Sequence, residues 1–150
     1  MVGALELVLV HQLLGEYGHT IDTADWARFK DLFTPDAVLD YTAVRAPRVC
    51  TGIDEILVYF REANHPSAHH VTNVVVVESE GVVQVHSKFL GPFTRPSHSP
   101  RRWYGGDYHD TVVRSDDGTW RFTSKVCTPR WQFTAAPFDD GEIAEHRRSF

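Results

Sequence analysis

The chain has 150 residues, a formal net charge of -5, and hydrophobic and charged fractions of 42% and 23%, the balance of an ordinary globular domain. That charge argues against nucleic acid or an anionic membrane surface as partner. The two cysteines, Cys50 and Cys127, give neither metal-type spacing nor a disulfide framework. They read as buried thiols of a reducing compartment, so a cytoplasmic protein is expected.

Leu5, Leu9 and Leu13 recur at helical spacing with Val8, Gln12 and Glu16. The pattern predicts an amphipathic helix reaching about Tyr17 to Asp22, weakened at Gly15 and Gly18. Its apolar patch contains Glu6 and His11 and lacks a basic leader, so it reads as neither a signal peptide nor a membrane span. Thr23 is the expected N-cap of a short second helix, Ala24 to Phe33, with Trp26, Phe29 and Phe33 on one face. Thr34-Pro35-Asp36 reads as a turn, and Ala37 to Tyr41 alternates like a strand. Thr51-Gly52 leads into a third helix, Ile53 to Ala63, with Ile56, Tyr59 and Phe60 pointing one way, and Asn64-His65-Pro66-Ser67 ends it.

The chain then changes character. His69 to Glu78 is the most β-branched stretch and is expected to form the central strand. Ser79-Glu80-Gly81 turns into a strand over Val82 to Leu90, and Gly91 to Arg101 reads as an irregular loop. Arg102 to Arg114 and Thr119 to Arg130 are two further strands joined by the hairpin turn Ser115-Asp116-Asp117-Gly118. Residues 1–134 are expected to form one domain and 135–150 a tail. Helices followed by an antiparallel meander predict an α+β fold, a cone-shaped barrel in which a curved sheet and about three helices enclose a small-molecule pocket.

Several polar residues are candidates for chemistry. Successive strand side chains point to opposite faces, so only one of His69 and His70 faces inward; His69 goes with Val71 and Asn73, His70 with Thr72 and Val74. Asp22 ends the first helix, where a carboxylate also serves as a cap. Asp107 and His109 share one strand face, and alternation does not say which face is buried. Tyr41 closes the first strand, either packed or placed at a site.

The order Asp22 with Asp25-Trp26, Leu32-Phe33 and Asp36, Asp40-Tyr41, Gly52, His69 with Asn73, and Asp117-Gly118-Thr119-Trp120-Arg121-Phe122 resembles the nuclear transport factor 2-like superfamily. The resemblance is closest to its SnoaL-like branch, which includes scytalone dehydratase, polyketide cyclases and a hexachlorocyclohexane dehydrochlorinase, and it covers about Leu5 to Trp131. It implies an Asp–His dyad of Asp22 and His69, with His70 as the alternative base. It further implies Tyr41 and the polar pair Asp107 and His109 as catalytic partners, and Tyr17 as a pocket-lining aromatic. The chain departs from the dehydratase pattern at Ile21, where that enzyme has tyrosine, and at His109, where it has asparagine. The dehydratase's second histidine has no counterpart near Lys88 to Phe93.

A carboxylate on one imidazole nitrogen fixes the tautomer and raises the basicity of the other. His69 would then take a proton next to a carbonyl, while Tyr41 or His109 donates to the developing oxyanion. The expected activity is cofactor-independent proton transfer of the dehydratase, cyclase or isomerase type on a small hydrophobic cyclic or polyketide-like molecule. Trp26, His70, Asn73, Phe89 and Trp103 are the further expected substrate contacts. Neither an organic cofactor nor a metal is expected, because no ligand spacing of the H-x-H or H-E-x-x-H kind occurs among these residues. A homodimer is expected. The alternative is a non-catalytic ligand-binding or accessory module, such as an oxygenase small subunit.

Overall fold

Three helices lie across one face of a six-stranded sheet in a computed structural model of the chain, which describes residues 2–44, 46–63, 68–92 and 101–135. The helix-breaking Asn64 to Ser67, most of the loop after Gly91 and the tail lie outside the described residues. Helix α1 spans Ala4–Asp22, α2 Trp26–Asp31 and α3 Ile53–Glu62. The strands are β1 (Phe33–Asp40), β2 (Cys50–Thr51), β3 (His70–Ser79), β4 (Val82–Pro92), β5 (Arg101–Arg114) and β6 (Trp120–Ala135). Their order is β2-β1-β6-β5-β4-β3, with β1 and β6 parallel and every other pair antiparallel. The sheet is mixed, curved and open, so the strand after His69 is an edge strand and not the central one. No described helix is long and apolar enough to cross a membrane.

The local differences from the sequence reading have physical causes. Helix α1 runs through Gly15 and Gly18 without a break, because packing of its buried stripe (Val10, Leu13, Leu14, Tyr17, Ile21) outweighs their weak helix propensity. Leu5 falls off that stripe and is exposed. Thr23 caps the end of α1, while Ala24 turns the chain in the left-handed region (φ 55°). The N-cap of α2 is Asp25, whose side chain accepts from the Arg28 N–H. Thr34 to Asp36 belong to β1 rather than to a turn, across an irregularity in its pairing with β6. In α3 the residues Ile53, Ile56, Leu57 and Phe60 repeat at the spacing of one helical face and are buried.

Helices and concave sheet face meet in an aromatic core. The Tyr17 ring lies within 6.3 Å of the ring centroids of Phe29, Phe33, Phe60, Tyr108 and Phe122. Into this apolar setting β5 and β6 bring a charged pair: Lys125 Nζ donates to Asp110 Oδ2 at 2.8 Å, and both side chains are 0% exposed. The ammonium sits 4.0 Å from the Tyr108 ring centroid and 4.2 Å from that of Tyr17, on their electron-rich faces. Burial pushes the Asp110 carboxyl above its ordinary value and the Lys125 ammonium below its own.

The convex face carries what the alternation of β5 left open. Tyr108 and Asp110 face the core, so Asp107 and His109 face the other way, and the expectation that they join the site is corrected. Asp107 is buried on that convex face by its own partners: Lys88 across the ladder, His86 Nε2 at 2.8 Å and Arg130 Nε at 2.5 Å. His109 stacks on His86, ring centroids 4.6 Å apart. Trp103 faces the same side and stacks on Phe133, so it too leaves the expected pocket lining.

Two stability measurements follow. Lys125→Met strands the buried Asp110 carboxylate and is expected to cost about 3–5 kcal/mol in urea unfolding, while Asp110→Leu with Lys125→Met restores stability to within about 1 kcal/mol of wild type. Lys88, then Arg130 and His86, hold the Asp107 carboxyl well below the usual range. A depressed carboxyl stabilises the fold above its unfolded value, about 3.9, and loses that contribution as pH falls through the folded value. Asp107→Asn is therefore expected to cost about 1 kcal/mol near pH ~7, with partly exposed partners keeping the figure small. The gap to wild type should close on acidification in urea titrations at stepped pH.

Candidate active site

The end of α1 and the residue before β3 meet. Asp22 Oδ1 lies 2.5 Å from His69 Nδ1, and the His69 backbone N–H donates to the same carboxylate, 3.0 Å to Oδ2 and 3.2 Å to Oδ1. Ala68, at φ 82°, makes the bend that aims ring and backbone at one acceptor. The approach is close because Gly18 and Gly91 flank the histidine: a Cβ at Gly18 would lie 3.4 Å from His69 Cβ, and one at Gly91 would lie 3.3 Å from the Ala68 carbonyl oxygen.

A carboxylate at a helix C-terminus faces the negative end of the helix dipole, so Asp22 needs compensation. Burial pushes its carboxyl up, but the His69 ring hydrogen bond and charge, with the backbone N–H groups of His69 and Ala68, outweigh burial and bring it below the ordinary value. An ionised Asp22 accepts from Nδ1–H, which leaves the lone pair of His69 on Nε2. Only 8% of the His69 side chain and 20% of the Asp22 side chain are exposed, so water screens the pair weakly.

The remaining expected residues divide. Tyr41 is buried on the concave side, its hydroxyl 2.6 Å from that of Tyr17 and its ring stacked on Tyr108. Burial above all, together with the neighbouring tyrosines, pushes Tyr41 well above its ordinary value; Tyr17 and Tyr108 are raised mainly by burial too, so all three hydroxyls keep their protons at neutral pH. Phe89 stacks on Tyr108, centroids 4.6 Å apart. Gly106 makes room for it, because a Cβ there would run into Phe89 and the Thr128 carbonyl. Trp26, half-buried on α2, packs edge-on against Phe29 at the margin of the core.

His70 opens β3 opposite Leu90 and is exposed on the convex side, which removes it as the alternative base. Asn73 is corrected as well: the pairing slips between Thr72 and Val75, and Asn73 is the extra, exposed residue at φ 51°, its side chain accepting from Thr72. Reading by residue type missed four concave-side groups, Ser87, Tyr108, Asp110 and Lys125. The opposite phase of the β5 alternation would have found Tyr108 and Asp110.

Among the described residues no three His, Cys, Asp or Glu side chains converge as a metal-binding group. A groove of about 530 Å³ lies between α1, α2 and the start of β6, lined by Leu9, Leu13, Leu32, Trp120 and Arg121 among others, and it includes neither Asp22 nor His69. The hydrogen-bond chemistry, and not the groove, marks the candidate site.

Comparison with known proteins agrees with the architecture. A protein of Novosphingobium aromaticivorans provisionally named a scytalone dehydratase superposes with a TM-score of 0.73 at 22% identity, over 88% of this chain and 89% of that one. LinA superposes with a TM-score of 0.77 at 14% identity, over 89% and 92% of the two chains. ActVI-ORFA of Streptomyces coelicolor gives 0.63 at 18% identity, over 82% and 96%. Identities this low establish the fold alone. No curated protein matches the sequence. The SnoaL-like domain matches residues 6–126, most of the chain, and the chain belongs to that family.

Proposed function

We propose that this SnoaL-like domain is a cofactor-independent enzyme that abstracts a proton from a small hydrophobic cyclic or polyketide-like molecule, as a dehydratase, cyclase or isomerase does. The observation that carries the reading is the 2.5 Å contact between Asp22 Oδ1 and His69 Nδ1. In this scheme Asp22 holds the imidazole in one tautomer and stabilises the imidazolium that forms, and Nε2 takes a proton from carbon next to a carbonyl. Tyr41 keeps its proton and serves as a neutral donor to the enolate oxygen, directly or through Tyr17 or a water molecule. His109 and Asp107, on the convex face, have no part in it.

One observation favours the second reading, a binding or accessory module. The concave side is filled by its own aromatic rings, with Phe29 and Phe60 centroids 4.9 Å apart and Phe33 and Phe122 5.2 Å apart.

Solvent deuterium incorporation separates the two. Proton NMR of a panel of cyclic ketones and aromatic polyketide-like compounds in heavy water should reveal at least one whose acidic carbon exchanges with wild-type protein. His69→Ala should lower that rate ~10²–10⁴-fold, the range of a general base. Exchange at an undiminished rate in His69→Ala would remove His69 as the base, and no exchange across a panel whose members bind would leave the accessory reading.

A further inference from the structure

Two buried polar atoms on the concave face, Ser87 Oγ and Asp110 Oδ1, have no hydrogen-bond partner among the described residues. Ser87 is fully buried, and the Asp110 side chain is 0% exposed. Such atoms are rare in folded proteins, because a group stripped of water without a replacement bond costs stability.

The two are neighbours. Ser87 stands opposite Tyr108 and Val85 opposite Asp110 on the β4–β5 ladder, so Ser87 and Asp110 sit diagonally on one face, their backbones roughly 7–8 Å apart and their side chains closer. Across β5 and β6, Tyr108 pairs with Cys127 and Asp110 with Lys125. Ser87, Tyr108, Asp110 and Lys125 therefore tile one patch over three strands, with the ammonium bonded to Asp110 Oδ2 and leaving Oδ1 over.

On the reading that the concave side receives a substrate, we infer that this patch is the subsite for a phenol- or enol-type hydroxyl of that substrate. A hydroxyl is the small group that satisfies both atoms at once: its O–H donates to Asp110 Oδ1, and its oxygen accepts from the Ser87 hydroxyl. A ketone oxygen only accepts and leaves Asp110 unmatched, and a carboxylate is repelled by it. An acidic hydroxyl makes the stronger bond to a carboxylate, and the Lys125 ammonium stabilises the charge it develops. A hydrocarbon or halocarbon would leave both atoms unpaired, so the patch selects oxygenated rings. A water molecule can make the same two bonds, and the test has to distinguish that case.

The probes are 4-nitrophenol, its methyl ether 4-nitroanisole and nitrobenzene, titrated calorimetrically against wild type in a buffer acidic enough to keep the phenol protonated. Expected is binding of 4-nitrophenol at least about tenfold tighter than either control. Ser87→Ala, a small deletion, and the double variant Asp110→Leu/Lys125→Met, which leaves no stranded charge, should each bring that preference to within about twofold, with thermal melts confirming folding. Water in place of a ligand hydroxyl predicts equal binding of all three probes. Equal binding, no measurable binding of 4-nitrophenol, or a full preference in both variants overturns the inference. His69→Ala should keep the preference. A retained preference with undiminished proton exchange in His69→Ala removes the dyad as base and leaves the subsite standing, so the two proposals fail separately.

Discussion

The carboxylate of Asp22 is the fastener between the helical layer and the sheet. It takes the ring and the backbone N–H of His69 together, tying the last residue of α1 to the chain entering β3. The position needs such partners, because an anion at a helix C-terminus is opposed by the helix dipole and by its own burial. The same bonds have a chemical consequence: they orient one imidazole with a charged acceptor on Nδ1. Structural anchoring and orientation of the proposed base are here one arrangement, so substitutions at Asp22 act on both.

Behind that junction the concave side is mostly aromatic, and its polar content is concentrated in a few groups. Tyr17, Tyr41 and Tyr108 remain neutral donors, and Lys125 and Asp110 neutralise one another in a place where neither would survive alone. Replacing the pair with apolar residues of similar size would fill the space at little cost. The unpartnered atoms beside it are the basis of the proposed hydroxyl subsite. The convex face uses charge differently: Asp107 gathers three partners whose outer ends reach solvent, an arrangement that stabilises without a site.

The element order and the helical faces were legible because they rest on periodicity and on breakers close in sequence. Asp22 and His69 are 47 residues apart, and no local pattern joins them. Their order along the chain, compared with a family, suggested the pair. Where alternation alone was used, the outcome depended on phase: His69 faces in and His70 out as expected of neighbours, whereas the β5 residues with suggestive chemistry, Asp107 and His109, occupy the wrong phase. Bulges account for the rest. One at Asn73 turns an expected pocket residue out to solvent. Another makes Thr123 the extra residue between Phe122 and Ser124, so that Phe122 and Lys125, three apart, both face the core. Strict alternation from Phe122 puts Lys125 outside, so the pattern does not predict a buried lysine.

The tautomer of His69 tests the central claim without knowledge of the substrate. Nitrogen-15 NMR of the neutral imidazole should show its proton on Nδ1, toward Asp22, and Asp22→Asn should redistribute that proton. A proton resident on Nε2 in the wild-type protein, or a spectrum indifferent to Asp22→Asn, would contradict the account.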